Sequence, residues 1–521
     1  MRKKSPVAAV IDIGSNELRL HIAQTVPQPA SVDKNQFAVQ YLENLSYPMS
    51  LGRDTFHAGK LSFDKADKAC EVIKNYMHVA KGYGVRNVRT VASTAMREAT
   101  NADYIIDQIK IKTGVNVVVT DDLEEKGYIY KLLAHYADEL LKKSAVIVYI
   151  GTGSIGVSLF VDGKMPRSWN IGTGSLRLSE MFGDLQEYTR EFYRMMEKYL
   201  AGYTRHLSSD LPDGISHFIV SGQEVDVIAK LAMDHVPHFG EPLFQMTKEE
   251  FEQLYERIKR KSTGSIAIEY GLTPERAETL LPAVCIYKNL LDSTHAKTIT
   301  ASRLLPMDGV LFEMLHPKRF QTIGKRFDKG TTQSALEIMK RHNGSMEHGE
   351  LVREFALMFF DKLRKLHGLE VRDKLLLIVA AYLHDIGKCV NVNDHNLTSY
   401  EMVRRSDIVG LTQIEKEIVA LICRYHSGGG VDLGEYYYSA LDSHTKVRVS
   451  KLTALLRLAD ALDRGNVEKF SRIDVKLSDT VLVVTVSTDV NIALEKWSFE
   501  MKGRFFAEVF GIKAELRVKR M

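Results

Sequence analysis

The sequence predicts two duplicated α/β lobes, then an all-helical region, then a small α+β tail. Three observations carry this prediction. Residues 10–22, "VIDIGSNELRLHI", and 147–160, "IVYIGTGSIGVSLF", share one pattern of apolar strand, tight Gly-rich turn and second apolar strand. Strand-type and helix-type hydrophobic spacing alternate through the first third of the chain, the mark of helices layered on a mixed sheet. Near residue 310 that alternation gives way to amphipathic helical spacing.

Taken in order, "VAAVIDIGSNELRLHIAQ" gives two strands across the Gly14-Ser15-Asn16 turn. "SFDKADKACEVIKNYMHVAKGYG" is a helix with Ala66, Ala69, Ile73, Met77 and Ala80 on one stripe, ended by Gly82 and Gly84. A short strand in "NVRTVAST", a helix in "ADYIIDQIKIKTG" and a strand in "VNVVVT" follow. The helix "EEKGYIYKLLAHYADELLKK" leads into the second Gly-turn hairpin, then "SWNIGTGSLRLSEMF" and the strand "GISHFIVSG". From "GVLFEMLHPKRF" to about Gly465 nearly everything reads as amphipathic helix, with polar breaks expected at "DKGTTQ" and "HNGSMEH". "RIDVKLSDTVLVVTVSTDV", a helix and "AELRVKR" form the tail.

At 521 residues the chain exceeds what one core can organise. Its 70 basic and 66 acidic residues leave a net charge of +4, which argues against a dedicated nucleic-acid or membrane-surface binder. Two basic runs, Arg257–Lys261 and Lys318–Arg326, are solvated helix faces or a groove for a polyanion. Cys70, Cys285, Cys389 and Cys423 are widely spaced and read as reduced thiols. The longest apolar run, "LLLIVAAYL", falls far short of the ~20 residues of a membrane span. A cytoplasmic protein is expected.

Backbone N–H groups in paired Gly turns make concave anion sites, so facing turns would clamp phosphate. Asp12 precedes the first turn, whereas Tyr149 holds the equivalent place in the second. A second set of polar residues, His348, His384, Asp385, His395, His426 and Asp460, sits on or beside apolar stripes of the helical region. Such groups need partners when buried, and a divalent ion would satisfy them together. A lone histidine on an apolar face is otherwise a hydrogen-bonded core residue, and adjacent residues such as His384 and Asp385 diverge on a helix.

The helical region resembles the HD-domain phosphohydrolases through "YLHDIGKCV", His348 upstream, His395 in "HNLTS", His426 in "RYHS" and Asp460 in "RLADALDR". The resemblance implies one metal site of His348, His384, Asp385 and Asp460, with His395 and His426 completing a second. Asp385 and Lys388 are then catalytic, Lys388 beside substrate phosphate. The ion is Mg, Mn, Fe, Zn or Ni.

The front half resembles the exopolyphosphatase and guanosine pentaphosphate phosphohydrolase (Ppx/GppA) family through "VIDIGSNELRL", "TVASTAMREATN", "DLEEKGYIY", "IGTGSIG", "NIGTGSLRL" and "DGVLFEML". That family implies an actin-like (ribonuclease H-like) fold of duplicated lobes. Its long members add an HD-type domain and a small C-terminal domain and suggest a homodimer. The domains expected are 1–123 (lobe I), 124–310 (lobe II), 311–468 (all-α HD domain) and 469–521 (small α+β domain). Asp12, Ser15 and Asn16 match the first phosphate turn, Arg97 the phosphate-facing arginine, and Gly151, Thr152, Gly153 and Ser154 the second loop. Glu125 matches the glutamate that activates water.

Four places depart from the family pattern. Tyr149 and Gly156 replace its magnesium-holding acids, Lys126 replaces an alanine beside Glu125, and Gln223-Glu224 replace a Gly-Thr loop. The expected function is phosphohydrolysis of polyphosphate, a guanosine polyphosphate or another nucleotide. Metal chemistry is placed at the HD site and phosphate gripping in the clamp. The alternatives are exopolyphosphatase chemistry in the clamp with Glu125 as base, using Asp12 with Asp121 or Asp122 for the metal, or a catalytically silent sensor.

Overall fold

Each Gly-turn hairpin is the centre of a sheet. The computed structural model of the chain describes residues 6–27, 37–183, 189–212, 214–233, 241–428, 431, 434–465, 470, 472–478 and 480–519. In the first sheet β1 (Val7–Ile13) pairs antiparallel with β2 (Glu17–Pro27), which pairs with β3 (Phe37–Pro48). On its other side β1 runs parallel to β4 (Val88–Ala92), followed by β5 (Val117–Val119). The second sheet repeats this plan. β6 (Ala145–Ile150) pairs antiparallel with β7 (Ile155–Val161), which pairs with β8 (Lys164–Ile171). β6 also runs parallel to β9 (His217–Gly222), beyond which lie β11 (Thr298–Ser302) and the added edge strand β10 (Leu243–Thr247). The duplication predicted from two hairpins therefore extends to five strands in each lobe. β3 is a strand that the sequence pattern does not announce.

Both sheets are covered by helices. The predicted stripe of the Phe63–Gly82 helix is buried at Ala66, Ala69, Ile73 and Ala80, and Met77 is half-buried. The Asp122–Tyr136 helix starts on a capping box, Asp121 accepting from Leu123 N and Glu124 N. Its placement immediately after β5 brings Glu125 to the end of the first sheet.

The chain forms two compact units, residues 1–327 and 328–521. One expectation fails here. "DKGTTQ" is no break but lies within the Pro317–Arg341 helix. Thr331 and Ser334 are buried there and the Thr332 hydroxyl donates to Asp328 O, so the polar residues are absorbed by packing and by the helix's own carbonyls. "HNGSMEH" is a true break, with Asn343 in the left-handed region (φ 54°) and Ser345 capping the next helix, Met346–Lys362.

The second unit continues through the helices Val371–Leu383, His395–Arg405, Gln413–Tyr425 and Ser443–Leu462. The tail is a three-stranded sheet in which β13 (Val481–Ser487) lies between β12 (Arg472–Leu477) and β14 (Lys513–Lys519). The Ala493–Phe510 helix makes the crossover between the parallel pair β13 and β14. Its Phe499, Phe505 and Phe506 share one apolar core with Leu455, Leu458 and Leu462 of the helical region. Among the described residues no helix is long and apolar enough to cross a membrane, and all four cysteines are free thiols.

Candidate functional site

The two Gly turns of the first unit meet. Gly14 N donates to Glu17 O (3.1 Å) and Gly151 N to Ser154 O (2.8 Å), closing each turn. The Thr152 hydroxyl donates to Ser15 Oγ at 3.0 Å, joining one turn to the other. Close packing explains two glycines. A Cβ on Gly174 would stand 2.2 Å from Gly151 O, and one on Gly153 would stand 2.4 Å from Thr94 Cγ2. Ser15 thus meets the second loop, while Asp12 lies half-buried on β1 opposite Arg19.

The acids around these turns are already engaged. Burial raises the Asp12 carboxyl to about 6, against the pull of Arg19. Arg97 donates to Thr120 O (2.7 Å) and Asp122 Oδ1 (2.5 Å) and lies 3.6 Å from Glu125 Oε1. Asp121 is spent on the helix cap. Of the acids in the alternative arrangement, Asp121 thus carries the helix cap and Asp122 the Arg97 contact. Glu125 is buried, and desolvation with help from Asp122 lifts it to about 8, Arg97 opposing. Tyr149 Oη reaches Glu125 Oε2 at 3.5 Å, and burial holds that phenol neutral well above its usual range.

Two departures noted in the sequence are one feature in space. Tyr149, Gly156 and Asn170 stand side by side across β6, β7 and β8. The Lys126 stem lies over Gly156, so that a Cβ there would sit 2.6 Å from Lys126 Cε, and the ammonium bonds Asn170 Oδ1. A lysine and a glycine thus pack on one another where the resemblance implies an alanine and an acid. Beside the turns lies a cavity of about 480 Å³ lined by Asn16, Glu17, Lys230, Arg276 and Glu224. Glu224 is buried with Oε1 accepting from Ser175 and Oε2 unpaired. In the basic runs, Lys259, Lys261 and Arg326 form ion pairs with Glu256, Glu269 and Asp138, which favours solvated faces over a groove.

The second unit brings all six predicted ligand residues together, and it does so at helix ends. His348 opens the Met346–Lys362 helix and His395 opens the His395–Arg405 helix. His426 follows the last residue of the Gln413–Tyr425 helix. His384 ends its helix at Leu383, and from Asp385 the chain tightens into the 3₁₀ turn Ile386–Cys389. That change of winding lets neighbours converge which would diverge on a continuous α-helix. Gly387 permits the turn to touch the next helix, since a Cβ would lie 2.3 Å from His395 O.

Asp385 stands between two groups. Its Oδ2 is 3.6 Å from His348 Nε2 and 3.5 Å from His384 Nε2, while Asp460 Oδ1 is 3.4 and 3.8 Å from the same two nitrogens. Its Oδ1 is 3.5 Å from both His395 Nε2 and His426 Nε2. Each imidazole is turned by its other nitrogen. His384, His395 and His426 donate Nδ1–H to the carbonyls of Ala381 (2.8 Å), Val392 (2.9 Å) and Cys423 (2.7 Å), and His348 donates to Asp463 Oδ2 (2.7 Å). The four Nε2 lone pairs thus face the carboxylates, as a second shell arranges them for a cation. Ligand atoms of His348, His384 and Asp460, and of His384, Asp385 and His426, each lie within 4.8 Å of one another.

Burial, above all, pushes His384, His395 and His426 below their usual range, so they present neutral imidazole. Burial would raise Asp385, but the positive charge around it, the Lys388 ammonium included, outweighs this and holds it well below the usual carboxylate range. The Lys388 ammonium bonds Asp385 Oδ2 and lines a cavity of about 180 Å³ that opens onto His348, His384 and Asp385. Sequence reasoning missed Asp463 and Lys502. Asp463 repeats Asp460 one turn on and was legible in "RLADALDR". Lys502, whose ammonium bonds Asp460 Oδ2, comes from 42 residues away and gives no local signal.

The sequence matches the Ppx/GppA phosphatase family over residues 31–318, and domain III of that phosphatase over residues 331–501. A guanosine-5'-triphosphate,3'-diphosphate pyrophosphatase of Photobacterium profundum is 22% identical over 494 residues, covering 92% of both chains. An exopolyphosphatase structure from Cytophaga hutchinsonii superposes with TM-score 0.50 at 19% identity, covering 60% of this chain and 98% of that one. A Ppx/GppA member from Aquifex aeolicus, 22% identical, covers 60% and 99% with TM-score 0.49. The N-terminal part therefore has the actin-like fold that the sequence predicted.

Proposed function

This chain belongs to the Ppx/GppA phosphatase family, whose members hydrolyse phosphoanhydrides, and from that premise we propose that its hydrolysis is carried out at the His/Asp cluster of the second unit. In this reading the cleft between the lobes grips the phosphate chain through its turns. The carrying observation is Asp385, whose two oxygens each face a separate pair of imidazole Nε2 atoms. His348, His384, Asp385 and Asp460 would hold one divalent ion, and Asp385, His395 and His426 a second. Such ions, when bound, supply a hydroxide nucleophile at neutral pH and polarise a phosphoryl oxygen. Lys388, which lines the same cavity, would take up charge on the substrate phosphate. Substrates are polyphosphate or a guanosine polyphosphate, by analogy with the named activities of the relatives.

The second reading keeps the chemistry in the cleft, where burial raises the Glu125 carboxyl to about 8, toward the range in which a general base works best. The test is phosphate release from polyphosphate and from guanosine pentaphosphate with Mn²⁺, for His384→Ala and Asp385→Ala against Glu125→Gln. Loss in the first pair alone supports the proposal, and loss in Glu125→Gln alone moves the chemistry to the cleft. Ligand binding without hydrolysis by the unsubstituted protein leaves a sensor.

A further inference from the structure

We propose that Lys502, supplied by the C-terminal module, is a positioning residue of the His/Asp centre, which makes that module part of the site. The inference rests on the metal reading above and concerns how one ligand is aimed. Lys502 lies on the Ala493–Phe510 helix and is 8% exposed. Its ammonium bonds Oδ2 of Asp460, a carboxylate that is itself 3% exposed. The other oxygen, Oδ1, faces Nε2 of His348 and His384. One oxygen is thereby held by a fixed Nζ donor and the other is left for an ion, so Asp460 is presented as a one-oxygen ligand in a single orientation. Without Lys502 the inner oxygen would be buried and unpaired, and the carboxylate could turn about its own axis.

The same helix backs the other half of the cluster. Phe505, three residues on, lies under the Arg457 guanidinium at 5.4 Å. Arg457 donates to the carbonyls of Tyr425 and Gly428, both at 2.8 Å, and so fixes the chain on either side of His426. The module's aromatic residues are continuous with the helical core, which gives Lys502 a rigid base.

The experiment uses the full chain with Lys502→Met, Lys502→Gln and Lys502→Arg. Mn²⁺ affinity and stoichiometry are read by calorimetry, and the visible d–d spectrum is read on Co²⁺-loaded protein. Lys502→Met should weaken Mn²⁺ binding by roughly 10–100-fold and alter the Co²⁺ spectrum. Lys502→Arg should restore both in large part. If circular dichroism finds the Met variant unfolded, the Gln variant, which keeps an N–H donor without the charge, carries the same measurement and the same expected direction. Unchanged affinity and spectrum in the folded variants overturn the inference alone. Failure of the unsubstituted protein to take up either ion overturns it together with the proposed function.

Discussion

The cleft of the first unit and the cluster of the second both gather acids at chain turns, yet their lone pairs are used differently. In the cleft, Asp121 caps a helix, Asp122 holds Arg97, Asp12 sits against Arg19, and Glu125 is neutralised by burial. Tyr149 reaches Glu125, and the Lys126 stem lies over Gly156. In the cluster every imidazole gives its Nδ1–H to a carbonyl or carboxylate outside the group, leaving Nε2 turned inward. The difference teaches that a count of ligand-type residues does not make a metal site. What matters is which of their atoms the surrounding fold has already engaged.

The largest expected effect separates the two halves of the cluster. Asp385→Asn should abolish uptake of both ions and lower phosphate release by about 10³-fold or more, because one carboxylate serves both groups. His395→Ala should cost one ion and leave the His348–His384–Asp460 group loaded. Elemental analysis of the two purified variants checks this. Loss of both ions from His395→Ala would mean that the cluster is a single site.

Next comes a contrast in pH behaviour. Folded, Glu125 holds its proton to about pH 8, whereas its ordinary value is 4.5. Between those values the folded state binds more protons than the unfolded one, so stability falls as pH rises through this window. Glu125→Gln should remove that loss and raise stability at pH 8 by up to a few kcal/mol relative to the unsubstituted protein. Denaturant unfolding at pH 5 and pH 8 reads the difference, which should be small at the lower pH. An equal effect at both would show that Glu125 is ionised in the cleft.

The duplicated hairpins were readable because each repeats a local pattern, and strand pairing then follows from it. The six cluster residues and their convergence were implied by resemblance to a known ligand pattern, while helical spacing alone did not bring His384 and Asp385 together. Their meeting depends on a helix stopping at Leu383 and a 3₁₀ turn following it. β3 was missed because the alternation in "FAVQYLENLSYP" is weak and the strand is only partly buried. The supposed break at "DKGTTQ" was a misreading of polar residues that packing buries. Lys126 on Gly156 and Lys502 on Asp460 join elements far apart in sequence, and no local periodicity reports such contacts.

Smaller is the effect at the lysine that fills the cleft. Gly156→Ala should cost about 1–3 kcal/mol, since its methyl would press on Lys126 Cε. Lys126→Ala should relieve most of that cost, so the double variant should be more stable than the two single losses predict. Thermal or urea unfolding of the four proteins gives the coupling. Additive losses would mean that the two departures are independent, and the cleft would then be open to an acid at position 156.

Smallest is the link between the turns, where Thr152 donates to Ser15. Thr152→Ala leaves the fully buried Ser15 hydroxyl short of a partner and should cost about 1 kcal/mol or slightly more. Adding Ser15→Ala removes the stranded group, so the double variant should lose less than the sum of the singles. Neither change should alter the ion content of the cluster, because neither residue touches it. If Thr152→Ala weakens binding of a long polyphosphate while ion content stays constant, gripping and metal binding are separable properties of the chain. If ion content falls as well, the contrast between cleft and cluster fails, since the two would share one equilibrium.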